Sequence, residues 1–441
     1  MVTGVELYAL KMRDILAFLK KEKPSYWFIS FYLFIEYVRP QTMYPSISVV
    51  PFGELAALGT LVALIAEGNT RWVSNIENKL MVMFLVIILL SSAFGLSPKH
   101  SFSLLPEFLS WFLIYFLIIH TVTTKNRFLV FMLSFLLYSF KMAQFSFRGW
   151  AAQGFGFAKE GTGGGPGWFQ NSGEFGIQMC VFFPLSVYFL IALKPFLPLW
   201  KRVLLLLFPL FALAGMISSS SRGALIGGAA VICWMLLQSR YKLKALVAAL
   251  LITALAVRLI PEEQKMRLAA AGRDRTSLAR TERWHKGLEM ARISPFLGVG
   301  YKNWGIADRT FFGGTGDLCH NIFIECLSEL GYAGVSGFGL MVLFTLVNNY
   351  RTRTLSRRFL GNDRFLLYMA YGFDASLVGY LVSGFFVTVL YYPYFWVNLA
   401  FTVALRAVAD REALAVRSVP PALEREEVVS PEEGPLDHRV L

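Results

Sequence analysis

The chain has 441 residues, of which 56% are hydrophobic and only 16% are charged, and its formal net charge is +13. A soluble protein of this length would carry more charge and shorter apolar runs, and runs that do not alternate argue against a transmembrane β-barrel. The composition therefore predicts an all-α fold, a polytopic membrane helical bundle. The simplest explanation of the positive charge is that lysines and arginines in short loops anchor the helices in the membrane. We therefore expect no nucleic-acid partner.

The first segment, residues 1–25, is a basic amphipathic stretch that we expect to lie on the cytoplasmic membrane surface, and it shows no cleavable signal peptide. About twelve transmembrane spans follow, nine within residues 26–260 and three within residues 320–410. The predicted spans are 26–38, 50–66, 80–96, 102–122, 128–145, 173–193, 203–218, 223–237, 243–260, 320–348, 365–390 and 394–408.

Lysines and arginines cluster in alternate loops, for example at Lys125 and Arg127 and at Arg357 and Arg358. Basic short loops stay in the cytoplasm, so this pattern places both termini of a multi-pass chain inside, which agrees with an even number of spans. The charged tail, residues 411–441, is predicted to be disordered and cytoplasmic.

Two loops on the opposite side are long. Residues 147–172 are rich in glycine, which suits either a backbone that approaches a ligand or a plain loop or lid. Residues 261–319, between the ninth and tenth spans, are basic although the insertion rule does not require it there. Within them, residues 277–293 predict an amphipathic helix. Its Arg280 and Arg283 either face solvent on a membrane-lying helix or turn inward to bind a pyrophosphate.

Four consecutive serines, residues 218–221, precede Arg222 where the seventh span ends and the eighth begins. Hydroxyls, a guanidinium and the free N–H groups of a helix start all suit a phosphate oxygen. The alternative is a polar turn in which Arg222 reaches lipid headgroups.

A polar loop ends at His320, where the tenth span begins. Asn321 follows it, and Glu325 and Glu329 come one turn apart on the same helix face. A helix start disfavours imidazolium, so a neutral His320 could accept a proton at neutral pH. Ionisable groups inside a membrane protein usually face a cavity or each other, which singles out His320 among the five histidines.

The four cysteines show no spacing typical of a metal site, and we expect neither a metal nor another cofactor. The pair Gly298 and Gly300 lacks the preceding strand and third glycine of a nucleotide fingerprint. It predicts a tight turn that either carries Tyr301 and Trp304 toward a sugar or lipid or is a plain turn.

Taken together, these segments resemble the O-antigen ligase and O-antigen polymerase superfamily. The resemblance rests on their order and spacing and covers about residues 171–334, with an N-S-G-E-F-G stretch at its start. The segments are S-S-S-R-G at 219–223, R-T-E-R-W at 280–284, P-F-L-G-V-G at 295–300 and H-N-I-F-I-E-C-L-S-E-L-G-Y-A-G at 320–334.

The resemblance implies a membrane glycosyltransferase of the bacterial inner membrane whose active site faces the periplasm. Its donor would be a glycan linked to undecaprenyl pyrophosphate, and its acceptor would be lipid A–core or another glycan. His320 would be the general base on the acceptor hydroxyl, and Arg222 with Arg280 or Arg283 would clamp the pyrophosphate without a metal. Asn321 and Glu325 beside the base are expected to bind substrate.

The sequence leaves several functions open. A ligase is favoured, a repeat-unit polymerase or a protein O-oligosaccharyl ligase shares the same fold and donor, and a polysaccharide or lipid transporter is the alternative of another class. The last alternative is a structural or signalling membrane protein whose charged residues only anchor it in the membrane. An enzyme requires Arg222, Arg280 and His320 to lie at one outward-facing site.

Overall fold

The structure, a computed structural model, describes residues 7–68, 72–156, 161–165, 167–239 and 275–417, with scattered residues between 241 and 266. All regular secondary structure in these residues is helical. The α-helices are α1 (Met12–Lys20), α2 (Pro24–Val38), α3 (Pro40–Met43), α4 (Phe52–Ala66), α5 (Ile76–Phe94), α6 (Pro98–Thr121), α7 (Lys125–Ala152), α8 (Ser172–Leu193), α9 (Leu199–Ser218), α10 (Arg222–Gln238), α11 (Arg275–Ile293), α12 (Trp304–Phe312), α13 (Ile322–Phe359), α14 (Arg364–Gly384) and α15 (Pro393–Arg417).

Within the described residues, seven helices are long and apolar enough to cross a membrane, namely α5 to α9, α13 and α14, and α4 and α10 are shorter apolar helices. Eleven of the twelve predicted spans fall on helices. The ninth, residues 243–260, lies almost wholly outside the described residues. The all-helical architecture is confirmed, and the count of twelve spans stays a prediction.

Local sequence explains where several helices begin. Asn75 accepts a hydrogen bond from the Glu77 N–H at 3.0 Å, and Asp363 accepts one from the Leu366 N–H at 3.0 Å. Each side chain satisfies a backbone donor that has no partner within the helix. Pro98, at the first position of α6, supplies a backbone already set for helix and needs no N–H partner.

The inter-helix loops meet at two ends of the bundle. At one end Lys125 forms an ion pair with Asp363 at 2.8 Å, and Arg364 donates to the Ile191 carbonyl at 3.0 Å. These loops share the side that the charge pattern predicts to be cytoplasmic. At the other end, here named the site end, lie residues 94–98, 161–165, 167–173, 218–222, 277–320 and 385–392. The Leu96 N–H, for example, donates to the Val299 carbonyl there at 2.7 Å.

Helix α13 is broken near its start. Gly331 has φ 63° and ψ −162°, so the helical path stops there and resumes at the next residue. A residue with a side chain rarely adopts this conformation. A Cβ at position 331 would also lie 2.5 Å from the backbone of Phe296. The tenth predicted span, read from the sequence as one continuous helix, is therefore two helical segments.

Residues 295–300 brace that break. The Tyr332 N–H donates to the Pro295 carbonyl at 2.8 Å, and the Val299 N–H donates to the Ser328 carbonyl at 2.8 Å. These are the groups that a broken helix leaves without intrahelical partners, which must be satisfied when they are buried. Gly298 permits the approach, because a Cβ there would lie 2.3 Å from the Glu329 backbone.

This brace corrects one sequence-based expectation. Tyr301 and Trp304 do not reach outward toward a sugar or lipid, since they are only 0% and 3% exposed. Trp304 instead begins α12, a short helix that the sequence pattern did not indicate. The P-F-L-G-V-G segment thus serves the backbone of α13.

Two predicted boundaries also shift. The glycine-rich loop begins only after α7 ends at Ala152, and the last helix continues to Arg417, inside the predicted tail. The amphipathic helix predicted for residues 277–293 is present as α11. The rest of the tail, residues 418–441, lies outside the described residues.

Candidate functional site

His320 lies in the last turn of chain before α13. Its backbone is left-handed, with φ 54°, an uncommon conformation for a residue with a side chain. Its N–H donates to the Thr388 hydroxyl at 2.8 Å, which ties it to the loop between α14 and α15. Asn321 then caps α13 by accepting from the N–H groups of Phe323 at 2.9 Å and Ile324 at 3.2 Å. The backbone of His320 is thereby held beside the positive end of the helix.

Helix α11 packs along the segment that carries His320. Arg283 donates to the Asp317 carboxylate at 2.8 Å, and the Trp284 indole N–H donates to the Cys319 carbonyl at 3.1 Å. The Trp284 ring also packs edge-on against Phe385 at 5.1 Å. The predicted amphipathic helix is therefore held against residues 317–319 by side chains from its own first half.

The charges of α11 act directly on His320. Burial first, and then Arg280 and Arg283, lower the pKa of His320 from its ordinary value of 6.5 to about 4 against an opposing contribution from Asp317. A hydrogen bond from Thr315, together with Arg283, holds the pKa of Asp317 below its usual range. His320 is therefore neutral at neutral pH and can accept a proton.

Arg222 joins the same region from α10. Ser221 caps that helix by accepting from the Ala224 N–H at 3.4 Å. The Arg222 guanidinium donates to the Ser277 hydroxyl at 3.4 Å, and Ser277 lies one turn before Arg280 on α11. We name Arg222, Arg280 and Arg283 the cationic cluster, and the structure brings all three together with His320 at the site end.

Two of the serines before Arg222 form hydrogen bonds within the protein. The Ser218 hydroxyl contacts that of Ser146 at 2.8 Å, and the Ser218 carbonyl accepts from the Thr162 N–H at 2.9 Å. Ser219 donates to the Met216 carbonyl at 2.7 Å. The Thr162 bond joins the turn before Arg222 to the glycine-rich loop, and the Ser146 contact joins it to α7.

Asn321 and Glu325 are both buried, at 1% and 5% exposure. The Asn321 side-chain oxygen is used by the helix cap, and the Glu325 carboxylate accepts from the Leu390 N–H at 3.2 Å. Both residues thus hold the helix start and the α14–α15 loop in place. Their predicted part in substrate binding stays a prediction.

Three helices start close together at the site end. A Cβ on Gly176 of α8 would meet Ala224 of α10 at 2.5 Å, and one on Gly173 would lie 3.3 Å from Val387, next to the Thr388 that binds His320. Helix starts carry partial positive charge from unpaired N–H groups. The starts of α8, α10 and α13 therefore add to the positive potential of the cationic cluster.

Sequence reasoning missed three residues at this site, Ser277, Asp317 and Thr388. Thr388 lies 68 residues from His320 in the chain, and no local pattern links the two. Asp317 is close in sequence and could have been found from its position before the histidine. Among the described residues, no group of three or more His, Cys, Asp or Glu side chains could hold a metal ion.

Comparison with known proteins adds two findings. Residues 204–339 match the protein family described as O-Antigen ligase, and all six predicted site residues fall in that range. The chain is also similar to the Exopolysaccharide production protein ExoQ of Rhizobium meliloti (strain 1021). The two are 35% identical over 107 residues, which are 22% of this chain and 23% of the length of that protein.

The apolar helices of the described residues, together with the family match, indicate a multi-pass membrane protein. With the family match, the resemblance noted in the sequence is confirmed. Residues 204–339 are thus similar to the O-antigen ligase family, and the similarity to the exopolysaccharide protein points to the same O-antigen ligase and polymerase superfamily.

Proposed function

We propose that this protein is an O-antigen ligase-type glycosyltransferase that moves a glycan from undecaprenyl pyrophosphate to an acceptor hydroxyl. The observation that carries the proposal is the meeting of His320 with the cationic cluster. The imidazole is neutral and lies within the field of Arg280 and Arg283, and Arg222 contacts Ser277, one turn before Arg280. This arrangement suits a reaction in which a hydroxyl loses a proton and a pyrophosphate leaves.

In the proposed reaction the acceptor oxygen attacks the anomeric carbon while the bond from that carbon to the pyrophosphate oxygen breaks. The hydroxyl proton passes to the His320 imidazole, and the electron pair of the broken bond leaves with the lipid pyrophosphate. Inversion at the anomeric carbon is the expected stereochemistry. Fixed guanidiniums stabilise the growing negative charge, which is the largest contribution in many such sites.

Within the cationic cluster the roles differ. Arg283 is engaged by the ionised Asp317, whereas Arg280 lies one turn earlier, beside the Ser277 that Arg222 contacts. We assign the pyrophosphate clamp to Arg222 and Arg280. Arg283 keeps Asp317, and hence the approach to His320, in place. The reaction so described needs no metal ion.

The proposed location is the bacterial inner membrane, with the site end toward the periplasm and both termini in the cytoplasm. The basic loops gather at the opposite end, where Lys125 and Arg364 lie, and basic short loops are retained in the cytoplasm. A donor embedded in the bilayer would reach the cationic cluster from the membrane, and lipid A–core is the proposed acceptor.

A polymerase that joins glycan repeat units is the second candidate. The similarity to a protein named for exopolysaccharide production favours it, and the same base and clamp would serve a sugar hydroxyl as acceptor. Transfer to a protein hydroxyl is a third enzyme reaction with the same donor. A transporter would leave the donor linkage intact.

The test is purified protein in lipid nanodiscs with a glycan on undecaprenyl pyrophosphate, offered lipid A–core, a second repeat unit or a protein acceptor in separate reactions. The proposal expects a glycosylated lipid A–core. Product only with the second repeat unit would make the protein a polymerase, and an intact donor with every acceptor would contradict both.

A further inference from the structure

We infer that Glu329 is a positioning residue that, through helix α12, holds both the cationic cluster and His320 in their working arrangement. The link to catalysis rests on the proposed function, whereas the link between Glu329 and the geometry does not. Glu329 is 3% exposed, and it lies in the first segment of α13, two residues before the break at Gly331.

The Glu329 carboxylate binds three donors from two other parts of the chain. It accepts from the backbone N–H groups of Lys302 at 3.1 Å and Trp304 at 3.2 Å, and from the Tyr391 hydroxyl at 3.0 Å. The first two donors are at the start of α12, where backbone N–H groups lack helical partners. One buried side chain thus fixes the start of α12 to α13 and to the loop after α14.

Helix α12 in turn fixes the segment that leads to His320. The Trp304 indole N–H donates to the Asp317 carbonyl at 2.8 Å, and Asp308 accepts from the Gly316 N–H at 2.8 Å. The Gly316 N–H and the Asp317 carbonyl are therefore both bonded to side chains of α12. His320 follows three residues later.

The same short helix also fixes α11. Asp308 forms an ion pair with Lys286 at 3.2 Å, and a Cβ on Gly287 would meet the Trp304 ring at 2.8 Å. Lys286 lies on α11 between the arginines and the helix end. Release of α12 would loosen the cationic cluster and the imidazole together.

The pH profile separates positioning from a general loss of stability. His320 is faced by Arg280 and Arg283 from α11, by Asp317 from its own segment and by the Thr388 hydroxyl from the loop after α14. If α12 is released, His320 becomes more solvated and the arginines are no longer held near it. Its protonation should then move from near pH 4 toward pH 6.5, whereas partial unfolding lowers the rate equally at every pH.

The experiment uses the full-length protein in nanodiscs with Glu329→Ala, Glu329→Gln and Tyr391→Phe. Tyr391→Phe removes one of the three donors and keeps the carboxylate. Thr345→Val is the matched control, because Thr345 is a buried polar residue of α13 that bonds to Met341 and Glu77 and does not contact α12. Hydrogen exchange is measured without substrate for residues 302–321 and for α14, and kcat/KM is measured against pH with the lipid-pyrophosphate donor.

The inference expects faster exchange confined to residues 302–321 in Glu329→Ala and, to a smaller extent, in Glu329→Gln and Tyr391→Phe. It also expects the acid limb of kcat/KM to move to higher pH, with both quantities unchanged in Thr345→Val. Unchanged exchange at residues 302–321 in Glu329→Gln and Tyr391→Phe would overturn it, as would equal acceleration in α14. If the wild-type protein transfers no glycan, the proposed function fails while the exchange measurement still decides the positioning role.

Discussion

The surroundings of His320, the proposed base, oppose its protonation. Burial and two neighbouring arginines lower its pKa to about 4, so His320 is uncharged at neutral pH in the protein without substrate. A bound pyrophosphate would place negative charge beside the same arginines. That charge favours imidazolium, so donor binding should raise the pKa of His320 in the complex that removes the proton from the acceptor hydroxyl.

Because the pKa of His320 should differ between the free protein and the donor complex, kcat/KM and kcat should have different pH profiles. Activity falls as pH drops through the pKa of the base, because the protonated imidazole cannot accept another proton. The acid limb of kcat/KM, which reports the free enzyme, should lie near pH 4. The acid limb of kcat, which reports the complex, should lie higher. Coincident acid limbs near pH 6.5 would show that burial and the arginines do not tune His320.

The arginines should differ on substitution. Arg280→Gln should lower kcat roughly 10²–10³-fold, the range for loss of one fixed donor to developing charge. Arg283→Gln should cost less than about tenfold, because its exposed pair with Asp317 is a weak interaction, and Asp317→Asn should act similarly. Arg292→Gln, on the exposed end of the same helix, is the control and should leave both kinetic constants unchanged. A larger loss from Arg283→Gln would exchange the two roles.

At the scale of elements, the break in α13 organises the site. The segment before Gly331 carries Asn321, Glu325 and Glu329, and residues 295–300 satisfy the backbone groups that the break exposes. Because this short segment is capped at its start and bonded at its end, it holds His320, the Asn321 cap and the two glutamates in fixed relative positions. This explains why the P-F-L-G-V-G segment contains glycine where a side chain would collide with backbone.

Gly331→Ala and Gly298→Ala should both destabilise the protein. A left-handed backbone costs a residue with a side chain about 1–2 kcal/mol, and each new Cβ would meet backbone at 2.5 Å or less. Thermal unfolding in detergent should show a lower midpoint for both variants. Gly339→Ala in the same helix, where a Cβ meets nothing within 4 Å, is the control and should be neutral or slightly stabilising. Equal midpoints for all three would refute the brace.

The sequence predicted most elements but not how they meet. The length of the apolar runs located most of the helices, because that signal is local. The break at Gly331, the short helix α12 and the bond from His320 to Thr388 depend on residues far apart in the chain. The arginines and His320 were indicated by order and residue type, whereas only the fold shows that Arg283 is bound to Asp317 and that Glu329 joins three segments.

At the scale of the whole molecule, both ends of the bundle carry basic residues, but only the end opposite the site carries them in short loops. The insertion rule counts short loops only, so it predicts that the site end, opposite the short basic loops, faces the periplasm. A cysteine introduced at Thr310, exposed near the end of α12, should react with a membrane-impermeant maleimide in intact cells. A cysteine at Arg358, exposed at the other end, should react only after lysis. The reverse pattern would place the site in the cytoplasm.

The most direct measurement follows consumption of a glycan–undecaprenyl pyrophosphate donor by the wild-type protein and by His320→Ala, in nanodiscs with acceptor and an excess of a metal chelator. We predict that the wild-type protein consumes the donor and that His320→Ala, folded and inserted to the same extent, does so roughly 10²–10⁴-fold more slowly. Equal rates for the two proteins, or loss of wild-type activity on chelation, would contradict a metal-independent reaction with His320 as its base.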